Sequence, residues 1–167
     1  MTVSADVIRT HIDYTVWATL RVLDAAGKLS SDQLVRDFGT ADKSVPGTLV
    51  HIFRAERVWL GRIQVGSPIL PWASPDDGDW SALTGKWTAI HADWKAWAAR
   101  LSDADADRAV AYTDLKGNPW TQPLWQIVFH VVNHSTHHRG QVSGFLRSMG
   151  HVPPPLDFIA FMRQQSR

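Results

Sequence analysis

The chain has no cysteine in its 167 residues. Disulfides, thiolate metal ligands and a cysteine nucleophile are therefore excluded. Any metal must be held by histidine, carboxylate or water, and any thiol in the chemistry must come from a co-substrate. Long apolar runs are missing too: none approaches the roughly 18–20 residues that a membrane span needs. Nor is there an excess of charge of one sign. Lys and Arg number 17 against 16 Asp and Glu, for a net charge of +1, with no basic block or acidic tail. Nucleic-acid binding thus lacks its electrostatic footprint. The N-terminal stretch carries Asp6, Arg9, His11 and Asp13, which does not read as a signal peptide. A cytoplasmic location is the resulting expectation.

What is present reads as one globular domain spanning residues 1–167. Apolar residues make up 44% and charged residues 20%, ordinary for a chain that buries about two thirds of its unfolded surface. Tryptophan is the oddity, nine residues against two tyrosines. Trp80, Trp87 and Trp94 recur every seven residues and Trp97 follows. That stripe predicts packing in the core or at a subunit interface, with the wall of a ligand pocket as the other reading.

The apolar pattern predicts a first helix from Ser4 to Ala26, stopped at Gly27. A polar connection, Lys28 to Lys43, dips into the core at Leu34 and Phe38. Ser44 N-caps a second helix that tolerates Pro46 in its first turn and runs to about Val65. A Pro/Gly-rich loop covers Gly66 to Gly78. A third helix opens at Asp79 or Ser81 and reaches about Leu101. After a polar linker, Ser102 to Asp107, the stretch Arg108–Thr113 alternates enough for a strand. A turn at Lys116–Pro119 returns it through Trp120 to Gln122. The fourth helix runs from about Pro123 to Met149 and stops at Gly150. A short terminal helix, Leu156 to about Arg163, follows the prolines 153–155. The pattern predicts an all-α fold: a four-helix bundle with a small β-hairpin before the last long helix and a short C-terminal helix. The long connections mean that the topology need not be simple up-down.

Chemistry concentrates on the fourth helix, in His130-Val-Val-Asn-His134-Ser-Thr-His137-His138-Arg139-Gly-Gln141. Residues four apart on a helix lie nearly one above the other. His134 and His138 therefore project from one face and can share a divalent transition metal such as zinc. His130 and His137 extend the cluster. The stripe drifts by about 40° per four residues, so two ligands from this helix and one from a neighbour fit better than three from one. His51, on the apolar second helix, is the leading candidate for that partner. His11 and His91 read as surface histidines and His151 as a loop residue. Glu56 lies about 140° around the helix from His51 and does not share its face.

Two segments together, Thr48–Leu60 and Asn133–Gln141, resemble the DinB/YfiT-like superfamily. The hairpin with Tyr112, Thr113, Asp114 and Gly117, the Pro-rich tail and Asp157 match its layout. The resemblance implies a four-helix bundle with an unusual connection and a three-histidine site formed by His51, His134 and His138. It implies one divalent metal per chain, zinc or nickel, and a homodimer through bundle helices. It also implies a metal-dependent enzyme, of the thiol transferase or isomerase type or a hydrolase, or else a non-enzymatic stress-response protein. One departure is visible. Relatives often carry asparagines in a Tyr-Asn-x-Trp-Ala-Asn stretch, where this chain has Thr15 and Thr19. The polar contacts those asparagines make, and the substrate identity that goes with them, are therefore not carried over.

Three neutral imidazoles leave a divalent ion its full charge, which suits activation of either water or an incoming thiol. No carboxylate stands between His134 and His138, which disfavours peptidase-like hydrolysis. The expected function is thus a metal-dependent transfer involving a low-molecular-weight thiol and a small-molecule substrate. His130 is the candidate acid/base or orienting residue. Arg139 and Gln141 read as structural, with contact to a substrate anion as the alternative.

Overall fold

Four long helices carry the structure, each read here from a computed structural model that describes residues 3–65 and 71–166. They are α1 (Ala5–Ala26), α3 (Val45–Val65), α4 (Trp80–Ala99) and α6 (Leu124–Ser148). Shorter elements join them: α2 (Ser31–Leu34), a 3-10 turn at Pro75–Gly78, α5 (Asp103–Ala106), β1 (Ala109–Thr113), β2 (Pro119–Pro123) and α7 (Phe158–Gln165). Residues 66–70 of the expected Pro/Gly-rich loop lie outside the described residues.

The long helices form a four-helix bundle of unusual order. Both α1 and α3 pack on α6 and on α4. Successive long helices, α1 with α3 and α4 with α6, therefore sit across the bundle from one another rather than side by side. An up-down bundle would make them neighbours. The long connection between α1 and α3, noted from the sequence, spans one diagonal, and the segment carrying α5 and the hairpin spans the other. Strands β1 and β2 pair antiparallel, Ala109 opposite Pro123 and Tyr112 opposite Trp120, and lead directly into α6.

Local chemistry explains most boundaries. Ser4 caps α1 by accepting from the Val7 N–H at 3.3 Å. The Ser44 hydroxyl accepts from the Gly47 N–H at 3.2 Å, consistent with a cap for α3. Asp79 accepts from the N–H groups of Ser81 and Ala82 at the start of α4. Gly150 adopts φ +85 after α6, a conformation glycine takes without penalty. Gly27 does not use that freedom, since its φ is −65.

Two expectations about the elements need correcting, and one open choice is narrowed. The linker 102–107 contains the short helix α5, because Asp105 reaches back to the Ser102 N–H at 2.8 Å and hydroxyl at 2.6 Å. The terminal helix begins at Phe158, two residues late, because the Leu156 carbonyl is engaged by the Tyr14 hydroxyl at 2.9 Å. Of the tryptophan stripe, Trp87, Trp94 and Trp97 are buried within the bundle of a single chain, which favours the core over an interface for those three; Trp80 is half-buried.

His91 is the most informative correction. It is not on the surface but 4% exposed. Its Nε2 faces Glu56 Oε2 at 3.6 Å, and the other carboxylate oxygen accepts from the Ser135 hydroxyl at 2.9 Å. Arg139 is buried on the same helix as Ser135. It donates to the Thr19 hydroxyl at 3.2 Å and the Thr136 hydroxyl at 2.9 Å, with its guanidinium carbon 5.5 Å from the Tyr14 ring centre. Residues from all four long helices thus meet in a polar layer inside an otherwise apolar core. His11 is half-buried rather than surface-exposed, between the rings of Phe129 and Phe158 at 4.9 and 5.0 Å.

Several polar atoms of that layer are buried with no hydrogen-bond partner: both His91 ring nitrogens, the Arg139 Nε and the Thr15 hydroxyl. A buried polar group without a partner opposes folding. Thr15→Val keeps the shape and removes the hydroxyl. It is expected to stabilise by about 1 kcal/mol, a rise in thermal midpoint of about 2–4 °C for a chain of this size, read by calorimetry.

Candidate metal centre

The packing of α3 against α6 brings His51, His134 and His138 together. One ligand-type atom from each lies within 4.8 Å of the others. His51 Nε2 and His134 Nε2 are 3.0 Å apart. The ring centres stand 5.0 Å (His51 to His134), 4.4 Å (His51 to His138) and 4.5 Å (His134 to His138) apart. Of the other histidines, His137 is exposed beside His138, and His151 meets Gln33 in the loop after α6.

The donor set suits a divalent metal on two observations. First, the outer ring nitrogens of two members are engaged. His51 Nδ1 stands 3.3 Å from Asp42 Oδ1, and His138 Nδ1 is 2.7 Å from Gln141 Oε1. Such acceptors hold the proton on Nδ1 and leave Nε2 free to ligate. Second, two of the rings, His134 and His51, resist protonation. Burial, then the neighbouring imidazoles, push the His134 pKa down to about 3. Burial also lowers His51, although the Asp42 charge opposes it. Neutral imidazole is the form that binds metal.

Asp42 reaches His51 because of a close approach in the chain. A Cβ on Gly47 would stand 2.0 Å from the Asp42 carbonyl oxygen, so only glycine admits that backbone over the first turn of α3. Lys43 beside it adopts φ +62. Sequence reasoning missed Asp42; the glycine one position after Pro46 was the available signal.

Around the cluster lies an open cleft of about 550 Å³ between α3, α6 and the hairpin, lined by Trp59, Trp72, Tyr112, Trp120 and His130, among others. Trp72 is set edge-on to His51 at 5.3 Å. Arg57 holds that segment through the carbonyls of Pro71 and Trp72 at 3.0 and 3.1 Å. Arg54 and Arg57 also bind the buried Asp77 at 3.0 and 3.3 Å. His130 packs edge-on against Trp59 at 5.2 Å and stands 5.9 Å from the His134 ring. Partial burial and the Arg62 charge lower its pKa, so it is neutral at pH 7. Asp114 shares the cleft, but four donors from Lys116, Asn118 and Trp120 occupy its carboxylate. Glu56 faces the core instead, as its position 140° from His51 implied.

The family model described as the DinB family matches residues 1–167. The chain belongs to the DinB family. Two solved structures resemble this family member. A DinB-like protein from Bacillus cereus is 21% identical with a TM-score of 0.60, covering 93% of this chain and 99% of its own. YfiT from Bacillus subtilis, described as a probable metal-dependent hydrolase with an unusual four-helix bundle topology, is 18% identical with a TM-score of 0.70. That match covers 90% of this chain and 92% of its own. At these identities the likeness shows the shared fold. No curated protein matches the chain. No helix among the described residues is long and apolar enough to cross a membrane.

Two outcomes are expected. Asp42→Ala should weaken zinc binding about 10–100-fold in a calorimetric titration while the helical circular dichroism is unchanged. The metal-free protein should lose stability as pH falls from about 6.5 towards 3. The sign follows from His134: its folded pKa is depressed, so the unfolded chain takes up the proton first. Thermal midpoints across that window should fall less steeply in His134→Leu than in the wild type.

Proposed function

We propose that this DinB-family chain is a single-domain, divalent-metal-dependent enzyme acting on a small molecule in the cytoplasm. Its ligands are His51, His134 and His138, and the metal is zinc or nickel, both of which accept three imidazoles. The observation that carries the reading is the convergence of three imidazole rings, two of which line an aromatic cleft and two of which are oriented by Asp42 and Gln141. When bound there, a divalent ion supplies positive charge that lowers the pKa of a thiol or water.

The reaction class we favour is transfer to or from a low-molecular-weight thiol. Among the described residues, no free carboxylate base faces the three rings: Asp42 is spent on His51, Asp114 on the hairpin turn and Glu56 on the core. His130 is the proton acceptor in this reading. It is neutral, lies one turn from His134, and borders the cleft. Its unprotonated ring nitrogen takes the thiol proton as the thiol attacks, while Trp59 fixes the ring edge-on. Hydrolysis is the second reading, favoured by the description of YfiT as a probable metal-dependent hydrolase. His130 would then take the proton of water. A homodimer remains part of this proposal, without support from the tryptophan stripe.

Elemental analysis by mass spectrometry should find about one zinc or nickel per chain, and none in His51→Ala or His138→Ala. The loaded protein should conjugate a small electrophile to a small thiol. His130→Gln should keep the metal and lose about 10²–10⁴ in kcat, with the limb of the pH profile due to the base removed. Ester turnover without thiol would favour hydrolysis. No metal even after reconstitution would end the enzyme reading.

A further inference from the structure

Arg62 is a charged residue that the proposed chemistry does not use. It lies eleven positions after His51, within about 20° of the same face of α3, and its side chain borders the cleft. It is only 6% exposed. Its guanidinium carbon stands 4.5 Å from the Trp59 ring centre and 5.4 Å from that of Tyr112. Burial lowers its pKa, opposed by the charge of Asp114. Yet Nε and Nη2 are buried with no hydrogen-bond partner. Those two N–H groups form one edge of the guanidinium, the edge that takes a carboxylate through two parallel hydrogen bonds.

We propose that Arg62 anchors the substrate of this cleft and that the substrate carries a carboxylate on a flat apolar body. The proposal rests on reading the cleft as the substrate site. The floor is continuous from the three histidines to the anchor: His134 to His130, His130 to Trp59, Trp59 to Arg62. A molecule lying on it presents its reacting end to the histidines and its anion to Arg62. The aromatic rings of Trp59, Trp72 and Trp120 supply the apolar walls, and the volume suits a small molecule.

The charge balance selects a carboxylate over a phosphate dianion. Asp114 stands in the same cleft and offsets part of the Arg62 charge, so a dianion is repelled more strongly there than a monoanion. The unpaired edge offers two donors in a plane, which matches two carboxylate oxygens. It is shielded from bulk water, so the side chains packed around it, Trp59 and Tyr112 among them, must shift as the carboxylate enters.

The test uses the full-length protein, first stripped of metal and then loaded, with 3-phenylpropanoate and its neutral amide as probes. Calorimetric titration at low salt should show the carboxylate binding both forms, and the amide at least tenfold more weakly. Arg62→Gln should lose at least tenfold in carboxylate affinity with amide affinity unchanged. Arg62→Lys should fall between, because it keeps the charge without the fork. The wild-type Arg62 Nε–H resonance should shift with the carboxylate alone. Equal binding of acid and amide, full-strength binding to Arg62→Gln, or no binding of either probe would overturn the proposal. Should Arg62→Gln fail to fold, Arg62→Lys and the resonance decide, and a resonance that does not move overturns it. Binding to the metal-free form makes this result independent of whether the histidines hold a metal.

Discussion

The contact between α3 and α6 is the constraint on which the rest of this structure depends. Each helix presents two polar sets to it. Towards solvent, His51 meets His134 and His138. Towards the core, Glu56 accepts from Ser135. His51 and Glu56 are about 140° apart on α3, and His134 and Ser135 about 100° apart on α6. A rotation of either helix that improved one layer would break the other. The buried hydrogen bond therefore fixes the angle at which the histidines face each other, and the geometry of the centre is inherited from the core.

The two layers differ in what they tolerate. The core layer carries charge of both signs, on Glu56 and Arg139, and its hydroxyls and His91 gather around them. Removing one partner from such a set strands the other in a medium of low dielectric. In the histidine layer, burial and the neighbouring imidazoles keep the proton off His134, and burial lowers the pKa of His51. Such a cluster of ring nitrogens at the edge of a cleft attracts a cation. Arg62 has the complementary character at the other end of the same cleft: a cation with two donors left over. The cleft is thus polarised along its length, with imidazoles at one end and guanidinium at the other.

Much of this was legible in the sequence, and the reasons are local. The helix ends carry their own signals in Ser4, Ser44, Asp79 and Gly150, each acting within a few residues. The pair His134 and His138 follows from helical periodicity alone. What was not legible depends on contacts between distant segments. His91 looked like a surface residue because its partner, Glu56, sits on a different helix. Asp42 looked like loop, because nothing in its neighbourhood announces that it will face His51. Arg62 drew no reading, because an arginine near a helix end carries no local signal of burial. Only the packing of Trp59 and Tyr112 around it shows that it has been taken out of water. The tryptophan stripe was read correctly as packing but left open between core and interface, a choice that periodicity cannot make.

The threonines at positions 15 and 19 now have a structural meaning. Both are buried, and both face the core layer rather than the cleft. Thr19 accepts from Arg139, and Thr15 stands unpaired near Glu56 and His91 around a small internal space. The departure from the asparagines common in relatives therefore falls on the polar centre of the bundle. A shorter side chain at position 15 reaches less far across that centre, which is consistent with a hydroxyl left without a partner there. The cleft, by contrast, is built from α3, α6, the hairpin and the Trp72 segment. None of its lining comes from α1. Substrate choice in this chain must therefore be sought on those elements, and the identity of the residues at 15 and 19 bears on how firmly α1 holds α6 in register beneath the three histidines.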